Sequence, residues 1–110
     1  MENIKALFII TNAGFAEEIV EIAREQGAGG ATIINARGGG GGKCQTIMGI
    51  TVDSEKEMVL SLVDGKTAVK IMAAVKEKAG LKTPAHGICF AMPVDRMSET
   101  LSSSDKEIHA

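Results

Sequence analysis

The sequence predicts an α+β domain, a four-stranded antiparallel sheet with both helices on one of its faces. Three observations lead there. Four short apolar runs have the length and composition of strands, and two longer stretches carry apolar residues at helical spacing. They follow one another as strand, helix, strand, strand, helix, strand. Between the second and third runs lies Arg37-Gly38-Gly39-Gly40-Gly41-Gly42-Lys43-Cys44, five consecutive glycines between two cations, which weakens any regular element that contains it.

Ile4 to Ile10 is short, apolar and rich in β-branched residues, as a buried strand requires, and Asn12-Ala13-Gly14 ends it. From Phe15 to Gln26 the apolar positions 15, 19, 22 and 23 share one helical face, while Glu17, Glu18, Glu21, Arg24 and Glu25 take the other. Gly27 is the stop signal. Gly29-Gly30 turn the chain into a second strand, Ala31 to Asn35, that enters the glycine run. Beyond it, Met58 to Val63 reads as a third strand, and Asp64 is placed to cap a second helix from about Lys66 to Ala79. That helix gathers Ala68, Ile71, Met72 and Val75 on one face, carries lysines in its last turn, and stops at Gly80. Lys82 to Gly87 is a turn-rich connection to a fourth strand, Ile88 to Met92, closed by Pro93.

This order is the ferredoxin-like split βαβ arrangement, βαββαβ, with residues 1–97 as the domain and 98–110 as a loose C-terminal tail. Successive strand residues point to opposite faces, so Leu7-Phe8-Ile9-Ile10, Ile33-Ile34, Val59-Leu60 and Leu62-Val63 make both faces of the sheet apolar. Two helices cover one face. The other would alternate to polar residues if it met water, so the pattern predicts an obligate oligomer.

Composition narrows the function. A formal net charge of −2, no Trp or Tyr and three Phe supply neither the basic field nor the stacking rings of a nucleic-acid binder. The apolar run from Ala6 to Ile10 is too short for a signal peptide or a spanning helix, so the expectation is a cytoplasmic protein with no membrane insertion. Cys44 in the glycine run and Cys89 in an apolar strand form no disulfide framework, and one cysteine with two distant histidines has no metal-ligand spacing. His86, beside no paired carboxylate or nucleophile, marks no catalytic constellation, so no enzyme is expected.

The glycine run can act as a flexible joint or as a string of backbone N–H groups that wrap an anion. It fits neither standard phosphate motif. The Walker pattern fails because Arg37 stands at its first glycine and Cys44 at its hydroxyl, and the dinucleotide fingerprint fails because Lys43, Cys44 or Gln45 would stand at its last glycine. Thr46 to Val52 is also β-leaning and is no helix start.

With this layout, the chain resembles the P-II signal-transduction family over residues 1 to about 97. Lys56-Glu57-Met58-Val59 through Phe90-Ala91-Met92-Pro93-Val94 aligns without a gap to the family's third strand, second helix, nucleotide-facing loop and fourth strand. Thr32, Gly38 and Gly40 fall on the family's Thr and Gly-x-Gly at the base of its mobile loop, Lys56 on its Lys, and Gly87 on a glycine of the nucleotide-facing loop. The resemblance implies a homotrimer binding ADP, AMP or ATP, or another small anion, between subunits. It also implies a mobile loop, residues 37–55, that touches a target enzyme or transporter through Arg37, Lys43, Cys44 and Gln45.

Several residues depart from the family pattern. Its Arg-Gln after Gly-x-Gly is Gly41-Gly42, its Gly-Asp-Gly-Lys is Ala85-His86-Gly87-Ile88, and two arginines that reach the neighbouring subunit become Glu99 and Leu101. The absence of Tyr removes the residue that is uridylylated in many relatives. A metal-handling trimer of similar fold, resembling the copper-tolerance proteins and using Cys44 with a histidine, is the alternative.

Overall fold

A computed structural model of the chain describes residues 3–38, 45–47, 50–52 and 54–99. Strand β1 (Ile4–Asn12) leads to helix α1 (Ala16–Glu25) and strand β2 (Thr32–Gly38); two short strands follow, β3 (Gln45–Ile47) and β4 (Ile50–Val52), then β5 (Ser54–Asp64), α2 (Gly65–Ala79) and β6 (Ile88–Pro93). The main sheet has the order β2-β5-β1-β6, and every neighbouring pair is antiparallel. The ferredoxin-like expectation is met. The small β3–β4 pair, with Thr46 opposite Thr51, gives local form to the β-leaning stretch inside 37–55.

The register shows why these residues make a two-faced sheet. Ile9 stands opposite both Val59 and Cys89, and Leu7 opposite Ser61 and Ala91, so these residues share the face that the helices cover. Ile19, Ile22 and Ala23 of α1 and Ala68, Ile71 and Val75 of α2 close over it. Leu7, Ile9, Ile19, Ile71 and Val59 are fully buried, each contributing about 1.5–3 kcal/mol of apolar transfer. Cys89 packs half-buried against this core.

The opposite face carries the next residue of each strand. Ile34, Met58, Ile10 and Ile88 form one row across the sheet, and Thr32, Leu60, Phe8 and Phe90 the next. Leu62, Ala6 and Met92 begin a third. Phe8 and Phe90 stack with ring centroids 5.1 Å apart. No helix among the described residues lies over these rows, and Phe90 and Met92 are 41% and 50% exposed.

Boundaries differ from the sequence reading chiefly at β5, which begins at Ser54 rather than Met58. Glu55, Lys56 and Glu57 are too polar to read as strand, yet they pair with Arg37, Ala36 and Asn35 of β2, which itself runs on to Gly38. Arg37, Gly38 and Glu55 therefore belong to the sheet. Of the predicted 98–110 tail, residues 100–110 lie outside the described residues.

Candidate functional site

Asn12, Asn35, Lys56 and Glu57 bring polar side chains together at one end of the sheet, where β1 finishes and β5 begins. Asn12 and Lys56 are directly opposite each other in the β1–β5 register, and the Lys56 ammonium donates to Asn12 Oδ1 at 2.7 Å. The same amide turns its other edge away from Lys56. Asn12 Nδ2 donates to the carbonyl of Pro84 at 2.9 Å, while the Asn12 and Thr11 backbone and hydroxyl donors converge on the carbonyl of Ala85 at 2.9 and 2.8 Å. The turn before β6 is thus pinned to the end of β1 by three hydrogen bonds.

Its geometry has two special residues. His86 is exposed and sits at φ 55, a left-handed conformation unusual for a residue with a side chain. Gly87 is buried, and its N–H donates to the carbonyl of Ala79 at 2.7 Å, at the end of α2. A Cβ there would stand 2.6 Å from that carbonyl oxygen, so glycine is required by the close approach of two backbones.

A cleft of about 470 Å³ opens beside Lys56 and is lined also by Asn35, Arg37, Glu55 and Glu57. Glu57 is already engaged: its Oε1 accepts from the N–H groups of Gly14 at 2.9 Å and Ala16 at 3.1 Å, closing the N-terminus of α1. Among the described residues the ion pairs are Arg24–Glu21 and Lys78–Glu25, both away from this end of the sheet. Two of the three Lys56 donors are therefore not used by Asn12, and no carboxylate among the described residues pairs with it. The arrangement offers cationic donors to a small anion.

A second, larger cleft of about 680 Å³ lies between α2 and the start of β6, lined mainly by apolar groups such as Met72, Val75, Leu81 and Ile88. Gly87 borders it, and so does Cys89, whose thiol burial pushes up to about 12. Such a thiol stays protonated and unreactive at neutral pH.

The predicted ligand residues are partly gathered. Lys56 lies opposite Ala36 and two residues from the Gly38–Ser54 pair, so Lys56 and Gly38 flank the base of the 37–55 segment. Gly87 joins them indirectly, through Asn12 and Pro84. Thr32 stands opposite Leu60, four residues before Ala36 on β2 and hence roughly 13 Å away at a strand's rise. Gly40, Lys43 and Cys44 lie outside the described residues, and Gln45 is described only as the first residue of β3. Sequence reasoning missed Asn12 and Glu57. Asn12 reads as a strand terminator and Glu57 as a polar residue just before the strand at Met58, and the contacts that give them roles span 72 and 41 residues of chain.

The family model for nitrogen regulatory protein P-II matches residues 4–101. The chain belongs to the P-II family. No curated protein sequence matches the chain. Among solved structures, it is similar to B. subtilis GlnK in its complex with ATP, at 17% identity and a TM-score of 0.64, covering 90% of this chain and 87% of that one. It is similar to CPII from Thiomonas intermedia K12, bound to ADP, AMP and acetate, at 20% identity and a TM-score of 0.61, covering 86% and 91%. The periplasmic divalent cation tolerance protein CutA from Archaeoglobus fulgidus also shares the fold, at 14% identity and a TM-score of 0.62 with 86% of each chain covered. Among the described residues, no three His, Cys, Asp or Glu side chains cluster as a metal site, and no helix is long and apolar enough to cross a membrane.

Proposed function

We propose that this P-II family member is a cytoplasmic regulatory protein, a trimer that takes a small anionic ligand between its subunits and signals through residues 37–55 to a target enzyme or transporter. The observation that carries the reading is Lys56, a cation held by the neutral Asn12 amide at the base of that segment, beside a polar cleft. Thr32, Gly38, Gly40 and Gly87 complete the proposed ligand surface, and Arg37, Lys43, Cys44 and Gln45 the target-facing one. Support for adenine nucleotides comes from the ATP bound to GlnK and the ADP and AMP bound to CPII. Support for assembly comes from the uncovered apolar rows of the sheet, where Ile34, Leu62, Ile88, Phe90 and Met92 would be withdrawn from water. Light scattering at micromolar concentration should return the mass of a trimer; a monomer that melts cooperatively would overturn the assembly.

Ligand preference follows from the residues that depart from the family pattern. Ile88, Glu99 and Leu101 stand where the resemblance would put one Lys and two Arg. Hydrogen bonds to charged groups contribute about 1.5–3 kcal/mol each, so losing three unreplaced contacts costs roughly 4–9 kcal/mol, about three to six decades of affinity. Arg37, Lys43, Lys82 and Arg96 are the cations available to restore part of this. Calorimetry with ATP, ADP and AMP tests the reading: weak ATP binding, with ADP or AMP preferred, is expected. Submicromolar ATP binding that weakens as phosphates are removed would show that other cations line the cleft. Copper or zinc added to the reduced protein, with Cys44→Ser as control, tests the metal-handling alternative.

A further inference from the structure

We propose that Asn12 is the positioning residue of this anion site: it holds Lys56 toward the ligand without neutralising it, and ties that cation to the turn at residues 84–87. The inference rests on the reading of Lys56 as a ligand-facing group. Its basis is the division of labour within one side chain. Oδ1 accepts from the Lys56 ammonium at 2.7 Å, and Nδ2 donates to the Pro84 carbonyl at 2.9 Å. An amide is the side chain that can accept on one edge and donate on the other without carrying charge. Aspartate at the same position would pair with Lys56 and cancel the field an anion sees. It would also set a second acceptor against the Pro84 carbonyl. Serine could keep one contact but not span both.

The connection has a direction along the chain. Lys56 lies in β5 opposite Ala36, next to the 37–55 segment, whereas Pro84 opens the turn in which His86 is held at φ 55 and Gly87 is seated on the end of α2. Anything that draws the ammonium toward a ligand changes what Asn12 Oδ1 accepts. The turn on the other edge of the same amide then responds. A segment after β2 and a turn before β6, far apart in sequence, thereby sense one occupant.

The test uses the full chain and ADP as probe, comparing wild type with Asn12→Asp, Asn12→Ser and Lys56→Gln by calorimetry across a salt series, with melting curves as a check on folding. Asn12→Asp is expected to weaken ADP at least about tenfold, the scale of one charged contact, and to flatten the dependence of affinity on salt because one net positive charge is lost from the site. Asn12→Ser should weaken it by less and leave the salt dependence as in wild type. Hydrogen exchange at the His86 and Gly87 amides, measured without nucleotide, should quicken in both Asn12→Ser and Lys56→Gln. An Asn12→Asp protein that binds ADP as wild type does, while Lys56→Gln does not, overturns the positioning role and leaves the proposed function standing. Absence of nucleotide binding by wild type instead overturns the proposed function. In that case the exchange data still decide the link, and unchanged exchange in Lys56→Gln overturns it.

Discussion

The two helices of this domain begin in the same way chemically and in opposite ways topologically. Each N-terminus receives a carboxylate from β5. For α2 it is the adjacent residue, Asp64, at the last position of the strand, whose side chain accepts from the Thr67 N–H at 2.7 Å. For α1 it is Glu57, near the other end of β5, which reaches across to the Gly14 and Ala16 N–H groups. Phe15, the residue at the α1 cap position, has no side-chain cap hydrogen bond to offer. One helix is therefore started by its own sequence and the other by its docking. The difference teaches that α1 acquires its start only when β5 is in place, while α2 carries its start with it.

Removing each carboxylate separates the two cases. Glu57→Ala should produce the larger loss, about 2–3 kcal/mol, because one charged acceptor leaves two N–H groups unpartnered, one of them on the buried Ala16. Denaturant melts would measure it, and Glu57→Gln, which keeps the acceptor, should recover much of the loss. Asp64→Ala should cost about 1 kcal/mol, the usual value of an N-cap side chain in an exposed position. A greater loss at Asp64 than at Glu57 would reverse the comparison.

Acid sharpens it. The Thr67 backbone N–H holds the Asp64 carboxyl below its ordinary value of 3.8. A group whose pKa is lower in the folded state contributes stability above the unfolded value and loses it as pH falls through the folded one. Wild type should therefore lose stability relative to Asp64→Asn between pH 3.8 and the lower folded value. A pH series of melts on the two proteins checks this, and parallel curves would show that the cap does not titrate. The smallest effect concerns the pair. Glu57 and Asp64 are seven positions apart on β5, or about 24 Å, so the double alanine variant should equal the sum of the single losses within about 0.5 kcal/mol. Larger coupling would mean that the helices dock as one unit.

How much of this was legible in the sequence follows the same division between local and distant causes. The element order, both helical faces and the Asp64 cap are set by residues within a few positions of each other, and periodicity exposes them. Asn12 and Glu57 take their roles from partners more than 40 positions away, and the first residues of β5 take theirs from β2, 16 or more positions back, while the periodicity of Glu55-Lys56-Glu57 does not mark it as a strand. Gly80 was readable as a stop, but for another reason than the one that operates. It has φ −80 rather than a left-handed conformation, and a Cβ there would collide with the carbonyl of Lys76. The Lys and Gly positions of the candidate site were visible through the family resemblance. The amide joining them was not, because its contacts exist only once β1, β5 and the turn before β6 meet.

That meeting is late in synthesis. β1, like β5, has a partner on either side, yet Ile4 must find Asp64 and Lys5 must find Pro93. Between the emergence of Asn12 and that of Asp64, a ribosome working at roughly 5–20 residues per second needs about 3–10 s. During that interval a strand apolar on both faces has no neighbour. The nascent chain consequently exposes unpaired apolar strand for that time, and swapping the order of translation, by circular permutation that places residues 54–64 ahead of residue 4, should shorten the wait while keeping the same strand pairs in the finished sheet.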